Sequence, residues 1–133
     1  METKIVKKPW GEEIWFAQNE SYAGKVLKVN KGHRLSLQFH RQKKETQLIY
    51  KGKAKLTFGE TLDNLQEMIL NPGDKFDIFP PLIHRIEALE DLEIFEVSTP
   101  ELDDVVKIED DYGRSGEGNN FEIDSQLHLK NNN

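Results

Sequence analysis

Apolar residues along this chain fall in short runs whose alternate positions are polar. Runs rich in Val, Ile, Leu, Phe and Tyr follow one another from about residue 12 to residue 98. Alternation over so few residues is the mark of strands with one buried face. It predicts strands over residues 13–17, 24–29, 34–40, 46–51, 54–58, 66–70, 75–78, 84–89 and 93–98. The breaks between them carry turn chemistry: Asn30-Lys31-Gly32, Lys51-Gly52-Lys53, residues 59–64, Asn71-Pro72-Gly73-Asp74 and Pro80-Pro81. Many short strands with no long helical pattern between them predict an antiparallel sandwich or barrel. Residues 101–106 predict a short helix. Beyond Arg114 the alternation fades, so residues 115–120 read as a loop and Asn131-Asn132-Asn133 as a disordered end.

The stretch 34–40 is the most informative of these. A regular strand there puts Leu35, Leu37 and Phe39 on one face and Ser36, Gln38 and His40 on the other. The apolar phase needs a cover. A second copy of the chain supplies one, which predicts a homodimer; the N-terminal strand around Trp15 is the competing cover. The polar phase aims an amide and an imidazole the same way, and a carboxylate, Glu45, follows five residues after His40.

Gln38, His40 and Glu45 therefore offer O, N and O donors at one end of a hairpin. His84 opens a later strand just past Pro80-Pro81, and neighbouring strands can bring it opposite the first three. Taken singly, each has an ordinary explanation: a hydrogen-bonded core histidine, a polar strand residue, a surface ion pair with Lys43 or Lys44, a loop-tip histidine. Together they predict a mixed N/O metal site suited to Zn, Mn, Fe, Co or Ni.

Composition narrows the setting. The 133 residues amount to one domain. The net charge of −6 argues against a general nucleic-acid binder, whose affinity comes from Lys and Arg. That acidity is local: residues 101–124 hold 9 acids and 2 bases, whereas residues 1–100 hold 15 of each. Residues 25–55 carry ten bases and one acid, Glu45. This fits either a solvated strand surface or a basic rim around an anionic ligand. The absence of Cys excludes disulfides, thiolate catalysis and Cys-based zinc sites. No apolar run is long enough for a membrane helix, and the N-terminus lacks a secretory signal, so a cytoplasmic location is expected.

The spacing also carries a resemblance. Gly32, Gln38, His40, Glu45 and Gly52 resemble the first motif of the cupins, and Gly73 with His84 resembles the second. Phe79 and Pro81 stand where the family usually has Pro and Gly, and Ala88 where many members have Asn. Leu35-Ser36-Leu37-Gln38, with Gln for the first His, is similar to the phosphomannose isomerase branch. Lys8-Pro9-Trp10-Gly11, Lys25, Arg34, His84-Arg85, Ile94-Phe95-Glu96-Val97 and Asp110-Asp111-Tyr112-Gly113-Arg114 fit that branch as well. The likeness is to the small C-terminal cupin domain of the type II, bifunctional enzymes. Gln47 replaces a usual Trp, and Arg41-Gln42-Lys43-Lys44 a usual His-rich stretch.

This resemblance implies an all-β cupin double-stranded β-helix, or jelly-roll barrel, over residues 1–114, with residues 115–133 a partly disordered tail. It implies zinc on Gln38, His40, Glu45 and His84. The implied activity is a mannose 6-phosphate to fructose 6-phosphate isomerase working through an enediolate. Such a reaction needs a base, a cation for the developing oxyanion and a phosphate anchor. Arg114 and Lys25 are the catalytic candidates, and Arg34, Lys43 and Arg85 the substrate-binding ones. An Arg114 paired with Asp110 or Asp111 is the structural alternative. Bound hydroxide, Lys25 and Glu45 all remain open as the base. A non-catalytic module that binds a sugar phosphate or nucleotide sugar is the second functional reading. A nucleotide-sugar epimerase or a dioxygenase is a weaker third. His33 is expected to be exposed and His128 to play no part.

Overall fold

The structure is a computed structural model and describes residues 2–132. Twelve strands are present among them: β1 (Lys4–Lys8), β2 (Gly11–Gln18), β3 (Ala23–Val29), β4 (Leu37–Phe39), β5 (Glu45–Lys51), β6 (Ala54–Gly59), β7 (Gln66–Leu70), β8 (Lys75–Ile78), β9 (Ile83–Ala88), β10 (Leu92–Ser98), β11 (Val106–Glu109) and β12 (Gly116–Glu117). A 3₁₀ turn spans Leu62–Asn64, and one helix, α1, spans Phe121–Asn131. The strands form two antiparallel six-stranded sheets, ordered β1-β2-β3-β10-β5-β8 and β12-β11-β4-β9-β6-β7. The jelly roll expected of the chain is therefore built as two separately hydrogen-bonded sheets and not as one closed barrel.

The core lies between the sheets. Leu27, Ile49, Leu92 and Ile94 of the first sheet meet Leu56, Leu70 and Ile86 of the second, with Trp10 packed among them. The same inward rows change character along each strand. Leu27 gives way to Lys25, Ile49 to Gln47 and Glu45, Ile94 to Glu96, and Ile86 to His84, all buried. Register aligns these changes: Lys25 pairs with Glu96, which pairs with Gln47. One end of the sandwich is thus apolar, and the other holds a buried polar cluster. Burying so many charges is costly unless they are paired, which fixes that end as a specific site. At the far end the β5–β6 turn needs glycine: Gly52 has φ +90°, and a Cβ there would lie 2.2 Å from the Asp91 carbonyl oxygen.

Several expectations change. Residues 101–105 form turns and Val106 opens β11, so the expected helix is absent. Residues 34–40 are not one regular strand: only Leu37–Phe39 is strand, and Arg34 makes an isolated bridge to Glu87. Leu35 consequently packs against the core, Leu37 is buried within the single chain and Phe39 is half-buried. That row therefore gives no reason for a second copy. A different apolar surface is exposed on the outside of the first sheet, where Tyr50 stacks on Phe95 with ring centroids 4.6 Å apart, beside Val97. Residues 115–133 contain β12 and α1 instead of a loose tail. Asn120 caps α1 through Ile123 N–H, and Asp124 is buried against Lys8 at 2.9 Å. His128 Nδ1 reaches the Lys8 carbonyl oxygen at 2.8 Å, so it does help to seat α1. Asn133, part of the expected disordered end, lies outside the described residues. His33 is partly covered, with Nδ1 2.6 Å from the Tyr112 hydroxyl. No helix is long and apolar enough to cross a membrane among the described residues.

Candidate metal and ligand site

The polar end opens into a cleft of about 580 Å³, counting the space that opens to solvent. His40 and Glu45 line it, and with the buried His84 they bring ligand atoms within 4.8 Å of one another. Glu45 Oε1 lies 3.2 Å from His40 Nε2 and 3.4 Å from His84 Nε2. Both histidines are oriented from behind. His40 Nδ1 is 2.6 Å from the Asp104 carbonyl oxygen, and His84 Nδ1 is 3.0 Å from that of Leu82. A carbonyl only accepts, so each Nδ1 carries a proton, and each Nε2 turns its lone pair toward Glu45. Two lone pairs facing an ionised carboxylate are satisfied only by a shared proton or a cation between them. Backbone carbonyls that fix the tautomer in this way are a regular support for metal-binding histidines. The donor set fits a divalent cation with N/O preference.

Gln38 reaches the edge of this group through register, since it pairs with His84 across β4 and β9. Its Oε1 accepts from Ser36 Oγ at 2.8 Å, while Nε2 lies 3.4 Å from His84 Nε2. Coordination by its oxygen requires the carboxamide to turn over, after which the Ser36 hydroxyl can accept from the NH₂ group.

The electrostatics keep Glu45 ionised. Burial opposes its charge, but Lys43 at 3.0 Å, together with any proton shared with the two histidines, outweighs that and holds its carboxyl well below the usual carboxylate range. Burial likewise opposes the Lys43 charge, yet Glu96 and Glu45 raise the lysine above its ordinary value. Glu96 is pushed up by burial and by neighbouring Glu45. Its Oε1 accepts from Gln47 Nε2 at 2.7 Å, and the buried Oε1 of Gln47, a residue that lines the cleft, has no hydrogen-bond partner. Asp104 sets the turn after His40: its carboxylate accepts backbone N–H groups of Arg41, Gln42 and Lys43 at 2.7–3.1 Å.

The remaining candidates divide. Lys25 lines the cleft, pairs with Glu13 at 3.3 Å and lies over the Trp15 ring. Arg114 also lines it. The expected alternative partner is present as well: Asp110 binds Arg114 in a fork at 2.8 and 3.0 Å, and Asp124 adds a contact at 3.3 Å. Lys43 lines the cleft but is committed to Glu45 and Glu96. Arg34 and Arg85 are not brought to the cleft. Arg34 holds Asp111 in an exposed fork at 2.6 and 2.8 Å, and Arg85 donates to the Leu35 and Glu109 carbonyls. The sequence reading missed Lys8, Glu13, Glu96 and Lys107, all buried and lining the cleft. Glu96 was legible in principle, because it shares the inward phase of Leu92 and Ile94.

Comparison with known proteins places this geometry in a family. The family described as "Mannose-6-phosphate isomerase C-terminal" matches residues 1–110. The chain belongs to it, as a cupin of the type found at the C-terminus of type II phosphomannose isomerases. Among curated relatives, the mannose-1-phosphate guanylyltransferase ManC of Salmonella typhimurium is 32% identical over 116 residues, covering 82% of this chain and 23% of that protein. The xanthan biosynthesis protein XanB of Xanthomonas campestris is 30% identical over 115 residues, covering 83% and 24%. The chain thus spans about a quarter of the length of these relatives. Solved structures share the fold. CapF superposes with a TM-score of 0.71 at 19% identity, covering 81% of this chain and 34% of CapF. Bacillus subtilis oxalate decarboxylase gives 0.68 at 18%, covering 79% and 29%.

Proposed function

We propose that this chain is a metal-dependent isomerase that interconverts mannose 6-phosphate and fructose 6-phosphate. One observation carries the reading: His40 and His84 present Nε2 lone pairs to Glu45, which lines a cleft that also holds several cations. His40, Glu45, His84 and a turned Gln38 would hold zinc, with Mn, Fe, Co and Ni as the other metals such donors accept. Bound there, a divalent cation supplies Lewis acidity toward the sugar's carbonyl and hydroxyl oxygens. Lys43 keeps Glu45 anionic for that role. Arg114, held by Asp110, would stabilise the enediolate oxygen, and Lys25 would bind a sugar hydroxyl or move the proton between C1 and C2. Gln47 Oε1 is free to accept from a sugar hydroxyl.

A second reading rests on the relatives, two of which are named mannose-1-phosphate guanylyltransferases and not isomerases. In it the chain binds a sugar phosphate or nucleotide sugar without converting it. The exposed face around Phe95, Tyr50 and Val97 supports a homodimer. Turnover of mannose 6-phosphate by the metal-loaded protein separates the two functions.

A further inference from the structure

Every basic side chain lining the cleft has a carboxylate partner except one. Lys8 pairs with Asp124, Lys25 with Glu13, Lys43 with Glu45 and Glu96, and Arg114 with Asp110 and Asp124. Lys107 has none among the described residues. It is only 8% exposed, and its Nζ donates to the Gly118 carbonyl, which leaves two of its three protons free. Burial lowers its pKa and the nearby charges of Arg114 and Lys8 lower it further, against a smaller opposing effect of Asp124 and Asp110. A buried cation with no ion pair of its own beside two others is unfavourable unless an anion joins them.

Register fixes where that anion would lie. Lys107 pairs with Gln38 across β11 and β4, and Gln38 pairs with His84 across β4 and β9. Paired residues point to the same face, so Lys107, Gln38 and His84 form one row, of which Lys107 and Gln38 line the cleft. Two strand spacings set the backbone of Lys107 about 10 Å from that of His84. A six-carbon sugar held at C1 and C2 by the histidine end can extend its far end along this row.

We infer that Lys107, with Lys8 beside it, is the anchor for the phosphate group of the sugar substrate. The assignment rests on the sugar-phosphate reading for the identity of the ligand, but not on turnover. Lys107 is a cation that the ligand completes, whereas Lys8 and Arg114 are held in place by Asp124 and Asp110.

The test compares the wild-type chain with Lys107→Met and Lys107→Arg, each loaded with metal. Calorimetry with inorganic phosphate and with mannose 6-phosphate is the primary readout. Lys107→Met is expected to weaken both by ~10-fold or more, and Lys107→Arg to retain most of the affinity. Metal content and melting temperature of Lys107→Met should stay at or above wild type, because a repelled charge has been removed. If the wild type also turns over, KM for mannose 6-phosphate should rise with kcat little changed. Phosphate binding that depends on Lys107 in a protein without turnover supports the anchor while removing the isomerase reading. Undiminished phosphate binding in Lys107→Met, no phosphate binding by the wild type, or loss of metal from Lys107→Met overturns it.

Discussion

Glu45 and His40 meet with Oε1 and Nε2 3.2 Å apart, across the turn that joins β4 to β5. The contact is set by the far side of the imidazole ring, where Nδ1 is tied to the Asp104 carbonyl. Asp104 also grips the turn itself through three backbone N–H groups. Replacing its carboxylate keeps the carbonyl but loosens the turn that aims His40. Asp104→Ala is expected to weaken metal affinity by about 10- to 100-fold, as for other groups that orient a metal ligand. Competition against a chelator measures this. Unchanged affinity would show that the turn is set without Asp104.

Glu13 makes the polar end sensitive to acid. Burial opposes its charge, but Lys25 and Lys8 with the Trp15 N–H lower its pKa from 4.5 to about 2. A depressed carboxylate stabilises the fold above its unfolded pKa and loses that stabilisation as pH falls through its folded value. The contribution is therefore full above about pH 4.5 and gone below about pH 2. It amounts to roughly 1–3 kcal/mol. Urea unfolding across that range should show the advantage of wild type over Glu13→Gln shrinking toward acid. A constant difference would contradict the assignment.

α1 is held by charge and not by an apolar stripe, since Asp124 is its only buried residue. Its carboxylate bridges Lys8 and Arg114. Asp124→Ala leaves two buried cations short of a partner and is expected to cost about 3–5 kcal/mol. Protease cutting within residues 115–131 should rise in parallel. A loss below about 0.5 kcal/mol would place α1 among ordinary surface segments.

The outer face of the first sheet exposes Phe95, Tyr50 and Val97 in adjacent strands. Sedimentation of the wild type at micromolar concentration is expected to give a dimer, and Phe95→Glu with Val97→Lys a monomer. A wild-type monomer would remove the dimer proposal.

The sheet elements were readable where alternation is strict. The predicted strands at 66–70 and 75–78 match β7 and β8, and most others fall within one or two residues. β1 and β11 were missed because their inward positions include Lys8 and Lys107, which break the apolar signal, and β12 because it is two exposed residues long. α1 was missed for the same kind of reason: its one buried residue is an acid. His40, Glu45 and His84 were legible because period-two phase and spacing determine which side chains converge. Arg34 and Arg85 were misplaced, since Arg85 adjoins His84 and so takes the opposite face of β9, where it meets backbone carbonyls. Charge partners such as Asp124 to Lys8 join residues more than a hundred positions apart, and no local pattern reports them.

The most direct test of the account is the rate at which metal-loaded protein converts mannose 6-phosphate to fructose 6-phosphate in a coupled assay. Gln38→Ala combined with His40→Ala provides the control. The account predicts turnover that depends on added metal and falls to background in the double variant. Turnover no greater than that of the double variant, in protein that carries its metal, would contradict it.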